Sequence, residues 1–338
     1  MSFCSSPTRR RFVQSAVGAS AAVSLVPSGV SQASTAQRKD WVYVLNSRDA
    51  SVSLIDKAAR TESRRITVGK EPHHLYPTPD GRSVIVGNAM SDDLVFFDPG
   101  TAEVQRRIAS IDDPYQLGFS PDTRWFVTAA LRLDRVDIYR YEGGDLKLAK
   151  RLSVPKAPSH IWFSADSSTV FATLQDSNEI VAISLQKLEP MWKIRTGKQP
   201  AGILITPDDR HLMVGAMGEN FVDVIDWRAQ KSVKRIVTGR GAHNLRGLGD
   251  QRHVFVTNRV DNSVSCIDMR SFQVVSSFAV PGGPDCMEIT SDRKTMWITN
   301  RFARQVSLIN LADGKIFHTI EVGRSPHGIF FADRAPLI

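Results

Sequence analysis

Hydrophobic positions along this chain fall in short runs rich in β-branched and aromatic residues, each cut off by Pro, Asp, Asn or Gly. Val42-Tyr43-Val44-Leu45-Asn46, Val254-Phe255-Val256-Thr257-Asn258 and Met296-Trp297-Ile298-Thr299-Asn300 show the type. Such runs predict strands, because these side chains suit a pleated, half-buried surface. They also recur in a fixed frame. The residue that opens each unit is Pro72, Pro114, Pro158, Pro200, Ala242, Pro284 and Pro326, with steps of 42 residues except for one of 44. The same register returns Asp80, Asp122, Asp166, Asp208, Asp250 and Asp292 in turn contexts such as Thr78-Pro79-Asp80-Gly81. Asx chemistry at a turn explains those aspartates without any function. The two extra residues of the longer step are placed at Gly143-Gly144.

Each unit holds four strands, A to D. In the unit opening at Pro284 they are expected at 286–290, 295–299, 306–310 and 317–322. Four antiparallel strands in about 42 residues make a propeller blade, and blades that are apolar on both faces must stack around an axis. Strand A occurs seven times, whereas the first B, C and D strands (41–46, 51–56 and 63–68) precede any A. Seven blades result only if the last A strand joins those three. The expected fold is therefore all-β, a single seven-bladed β-propeller over 40–338 with one-plus-three strand closure of the termini. The units resemble the YVTN-repeat β-propeller family, written here as Tyr43-Val44-Leu45-Asn46, Val256-Thr257-Asn258 and Ile298-Thr299-Asn300, across 40–332. That family includes binding proteins, surface proteins and enzyme subunits, so the function must be argued from a site.

The N-terminus departs from this pattern. Thr8-Arg9-Arg10-Arg11-Phe12-Val13-Gln14 precedes a small-residue, mildly apolar run and then Ser31-Gln32-Ala33, the order of an export signal. It resembles the twin-arginine signal of bacteria, with Gln14 where lysine is usual, and this implies export of the folded protein to the periplasm or beyond. Residues 1–33 are assigned to the signal and 34–39 to a linker, with cleavage at Ala33 or Ala36. Removing the signal takes three arginines and no acidic residue, so the formal charge falls from +8 to +5, too diffuse for nucleic acid. No apolar stretch is long enough for a membrane span. Cys266 and Cys286 fall on different strand types, which does not favour a disulfide, and the absence of Cys-x-x-Cys-His excludes covalent c-type haem. A monomer is expected.

In a propeller the A strands run beside the axis, and the loops entering A and leaving B share one face. The first residue after each opener includes His73, Tyr115, His243, Asp285 and His327, and the second includes His74 and His160. Five of the eight histidines occupy fourteen such positions, where chance would place about 0.4. The B strands of four consecutive blades end in Asn258, Asn300, Asn46 and Asn88, and Arg259, Arg301 and Arg48 follow nearby. One half of the channel mouth is thus expected to be polar and cationic. His73, His243 and His327 with Asp285 suit zinc, copper or iron. Arg48, Arg259 and Arg301, with Asn46, Asn258, Asn300 and His74, suit a small anionic ligand. The asparagines are equally read as turn caps.

The leading expectation is an exported propeller that binds a metal ion or an anionic ligand or cofactor at this mouth, without turnover. Two alternatives stand beside it. One is a metal-dependent lactonase or lyase using the metal as Lewis acid, the other a scaffold for a periplasmic protein partner. Pro326-His327-Gly328 and Pro72-His73-His74 are also similar to strand openings in d1-haem propeller domains, which implies histidines and arginines serving a haem and its carboxylates. His211, His253 and His318 are placed on the surface, and Cys286 is read as an inert buried thiol.

Overall fold

The computed structural model describes residues 40–338, which form seven four-stranded antiparallel sheets arranged as a β-propeller. The expected export signal and linker lie outside the described residues. No helix among the described residues is long and apolar enough to cross a membrane. Numbering blades by their A strands, blade 1 opens at Pro72 and blade 7 at Pro326. Blades 1 to 6 are continuous in sequence, while blade 7 sets Pro326–Phe330 beside Trp41–Asn46, then Ser51–Asp56 and Thr61–Thr67. Tyr43 lies opposite Phe330 and Val44 opposite Ile329. The one-plus-three closure is therefore observed.

Blade 6 illustrates how closely the runs foretold the strands: Pro284–Ile289, Thr295–Asn300, Gln305–Asn310 and Lys315–Glu321. Blade 2 departs from the frame, because its A strand spans only Gln116–Phe119. Its outer hairpin, Arg135–Glu142 and Asp145–Ser153, turns at the inserted Gly143-Gly144, both at positive φ (59° and 95°), where a Cβ would be strained. Strands flanked by neighbouring blades are buried on both faces, as Trp41–Asn46 is throughout, whereas the outer strand Thr61–Thr67 is largely exposed. Between blades 7 and 1, Tyr43, Leu45 and Leu54 pack with Val84, Val86, Val95 and Phe97.

The Thr-Asn pair at the end of the B strands has a structural cause. Thr299 Oγ1 accepts the Cys286 NH (3.0 Å) and donates to the His327 carbonyl (2.8 Å), tying the A strands of two adjacent blades together. Asn300 Nδ2 donates to Ser307 Oγ (2.7 Å), tying strand B to strand C. The turn aspartates behave as expected, with Asp80 Oδ1 accepting Thr78 Oγ1 at 2.6 Å and the Arg82 NH at 3.0 Å.

Closure rests on few apolar groups, and Phe330 is the largest of them on the closing strand, buried against Tyr43 (ring centroids 6.3 Å). Phe330→Ala is expected to lower unfolding free energy by about 3–5 kcal/mol, measured by denaturant titration. A loss below about 1 kcal/mol would mean that this strand does not hold the ring shut.

Candidate functional site

The A strands of blades 1, 3, 4, 5 and 6 break register after their first residue and resume pairing three residues later, as between Pro72 and Leu75. Such an irregularity frees side chains from the normal alternation and can re-aim them. The two residues that follow each opener meet around the axis. His73 is stacked between Tyr115 and His327, with ring centroids 3.8 and 3.7 Å away. His74 meets the edge of His327 at 4.7 Å, and His160 stands 5.2 Å from His74 and 5.4 Å from His243. Five imidazoles thus share one channel, and all are buried. The cluster expected at the mouth lies inside it.

Gly328 explains part of this closeness. A Cβ there would come within 2.9 Å of the His73 carbonyl, which accepts the His327 Nδ1 proton at 2.8 Å. A carbonyl can only accept, so His327 carries its proton on Nδ1 and presents a bare Nε2.

Asp285 organises the other side of the cluster. It is fully buried, and its two oxygens receive Arg259 Nη2 at 2.7 Å and Arg301 Nη1 at 3.2 Å. Burial opposes its ionisation, but Arg259, His327 and His243 outweigh that and hold the carboxyl well below its usual range. Arg259 also donates to His243 Nε2 at 2.8 Å, which puts the His243 proton on Nδ1. That nitrogen lies 3.0 Å from Asp285 Oδ1, close to the carboxylate but out of line for a hydrogen bond.

Two groups of side chains bring ligand atoms within 4.8 Å of one another: His73, His74 and His327, and His243, Asp285 and His327. In the second group both His243 and Asp285 are already engaged by Arg259. In the first, His73 Nδ1, His74 Nε2 and His327 Nε2 are buried and have no hydrogen-bond partner. Buried polar atoms are rarely left this way, and His160 Nε2 and His243 Nδ1 of the same cluster share the condition, which marks the channel as a candidate ligand site. All five imidazoles are kept neutral, chiefly by burial. His243 is pushed down to about 4, with Arg259 adding to the effect, and His73, His74, His160 and His327 are held well below 6.5. Neutral imidazole is the form that binds a metal.

Not every residue singled out from the sequence joins the cluster. Asn46, Asn258 and Asn300 point into their own blades and donate to C-strand serines, Asn46 to Ser53 at 2.8 Å and Asn258 to Ser265 at 3.0 Å. These bonds tie strand B to strand C and do not cap a turn backbone, so the turn-cap reading of the asparagines is not what the structure shows, and they stand apart from the imidazole cluster. Arg48 is exposed on the turn after its strand and stays outside the Asp285 network. Arg259 and Arg301, expected to grip an anion, grip Asp285 instead. His74 belongs with the imidazoles, not with the arginines. Cys286 is buried, its thiol pushed well up by burial and by Asp285, and its Sγ is 3.6 Å from His327 Nδ1.

Beneath the histidines lies a cavity of about 130 Å³, lined by His74, His160, Cys286 and aliphatic side chains such as Leu117 and Ile203. Its floor holds a second ionic group that the sequence reading missed. Glu288 accepts Arg246 at 2.6 Å and Arg334 at 2.9 Å, and Arg246 also donates to the carbonyls of Ala335 and Pro336, both at 2.7 Å. Carrying the ring count to the fourth residue after the opener would have exposed it, since Arg246 and Glu288 stand there in adjacent blades among Tyr76, Trp162, Leu204 and Phe330. A larger apolar pocket of about 390 Å³, lined by Phe119, Phe163, Ile205 and Ile338, contains none of the five histidines.

Comparison with curated protein sequences returns no match. Among solved structures, a functionally unknown protein from Desulfotomaculum acetoxidans is similar at a TM-score of 0.75 and 15% identity, covering 87% of this chain and 99% of that one. The periplasmic gluconolactonase PpgL of Pseudomonas aeruginosa is similar at 0.73 and 18%, covering 88% and 99%. The dihydro-haem d1 dehydrogenase NirN, in complex with DHE, is similar at 0.67 and 16%, covering 86% and 75%. At these identities the likeness establishes the fold alone. The model of the YNCE-like β-propeller family matches residues 11–337, and the chain belongs to that family.

Proposed function

We propose that this chain is an exported binding protein that holds one transition-metal ion inside the propeller channel, on His73, His74 and His327. The observation that carries the reading is a cluster of three buried imidazoles that can bring one ligand atom each within 4.8 Å of the others, and each of which has a ring nitrogen without a hydrogen-bond partner. Nitrogen ligands near 2.0 Å from a tetrahedral metal stand roughly 3.3 Å apart; His73 and His327 lie face to face with ring centroids 3.7 Å apart, so enclosing an ion requires His73 to turn out of that stack. His327 is fixed for this role by its Nδ1 bond to the His73 carbonyl, the kind of outer contact that sets a ligand's tautomer. Asp285, Arg259 and His243 form the polar wall beside the ion. Export is supported by the Arg9-Arg10 signal pattern and by the likeness to a periplasmic gluconolactonase.

Purified mature protein is expected to carry one equivalent of a late first-row metal, or to take one up, as measured by elemental analysis. His73→Ala and His327→Ala should each lower retention at least about tenfold, as loss of a ligand does, while His211→Ala, remote from the channel, should not. A folded protein that neither contains nor takes up metal would sink the proposal.

The neutral imidazoles also set a pH dependence in metal-stripped protein. Unfolded histidines take up protons near 6.5, whereas folded His243 does so only near 4 and the other four well below 6.5. Between those values the unfolded state binds more protons, so stability present above about 6.5 is lost as pH falls towards 4. Asp113, pushed up to about 6 mainly by burial, and Asp137 and Asp223, also raised mainly by burial, act in the opposite sense, three groups against five. Tm is expected to drop by roughly 5 °C or more from pH 7 to pH 5, followed by calorimetry. A Tm that holds or rises across this window would contradict neutral burial.

A further inference from the structure

Charge decides which ion the channel accepts. Asp285 is one carboxylate held by two guanidinium groups, Arg259 and Arg301, so this cluster carries an excess positive charge. The imidazoles do not offset it. Across the cavity the pattern repeats, with Glu288 between Arg246 and Arg334. Arginine does not give up its proton in proteins, so the channel is formally positive both beside and below the histidines. These groups are buried or largely so, where neither water nor salt screens them well. A cation entering there meets a repulsion proportional to its own charge, and a divalent ion meets twice that of a monovalent one.

The donor set points the same way. His73, His74 and His327 supply neutral nitrogen, and the carboxylate at hand is already over-neutralised. The Cys286 sulfur lies 3.6 Å from His327 Nδ1, the protonated nitrogen, and is not counted among the donors. Zinc and iron favour four or more ligands, often with carboxylate or water to share their charge. Monovalent copper is soft, is content with three nitrogens, and brings a single charge.

We propose that the ion held by His73, His74 and His327 is Cu(I), in preference to zinc or another divalent metal; this rests on the metal-site reading above. The excess charge set by Asp285, Arg259 and Arg301 acts as the selectivity device.

Metal-free mature protein would be titrated anaerobically with Cu(I) buffered by bicinchoninate, and separately with Zn(II) against a chromophoric chelator. One Cu(I) per chain and weaker Zn(II) binding are expected. Arg301→Gln removes the excess charge at Asp285 and should raise the preference for zinc over copper at least about tenfold, whereas Asp285→Asn doubles it and should lower that preference by a similar factor. Wild-type protein that prefers Zn(II), or an Arg301→Gln variant that leaves the ratio unchanged, overturns Cu(I) selectivity and leaves the metal site standing. Folded wild-type protein that binds neither ion overturns the site itself. Should Asp285→Asn fail to fold, Arg301→Gln decides alone, because the Arg301 side chain is partly exposed (23%) and its loss leaves Asp285 paired with Arg259.

Discussion

Pairing of Pro326–Phe330 with Trp41–Asn46 is the contact on which the remaining structure depends. A repeat array without it would expose an unpaired strand edge and the apolar faces of its terminal blades. With it, every A strand has a neighbour on either side, and the threonines at the B-strand ends can lash them together, as Thr299 does between Cys286 and His327. Closure also carries His327 to its place between Asp285 and His73. Stability and the candidate site therefore share one cause.

Most of what lines the channel that closure creates is buried away from bulk solvent. Asp285 is held in its charged form there chiefly by Arg259, with Arg301 on its other oxygen, and Glu288 is likewise set between Arg246 and Arg334. Breaking such a group by removing one partner strands a buried charge, a cost far above that of a surface ion pair. Between these two ionic groups, the imidazoles are the uncharged part of the lining and the part with unused lone pairs. Their neutrality is a result of burial, and it leaves their ring nitrogens free of charge, which suits them to the proposed role of ligands and not to that of counter-charges.

The fold was legible in the chain because it is written many times over. A step of 42 residues, an Asp at every inner turn and seven A strands against a displaced first B, C and D leave little freedom. The departure at blade 2, where pairing starts only at Gln116, falls in the blade that carries the insertion. The site was legible in part. Ring counting named His73, His74, His243, Asp285 and His327 as neighbours, yet it treated side-chain direction as common to equivalent positions. Asn300 points to Ser307 and Arg301 to Asp285, although they are adjacent in sequence. Counting stopped two positions short of Arg246 and Glu288.

By itself, then, the sequence determined the number of blades, the closure and the angular order of the channel residues, because each of these follows from repeat period and strand count. It could not determine depth, direction or proton position. Whether the histidines stood at an open mouth or inside the channel depended on how far the A strands approach the axis, which Gly328 and the Thr299 hydrogen bonds set. Whether Arg259 faced a ligand or Asp285 depended on which partner lay within reach across the ring. That a bare nitrogen on His327 faces inward follows from one carbonyl, that of His73, 254 residues away in the chain and 2.8 Å away in space.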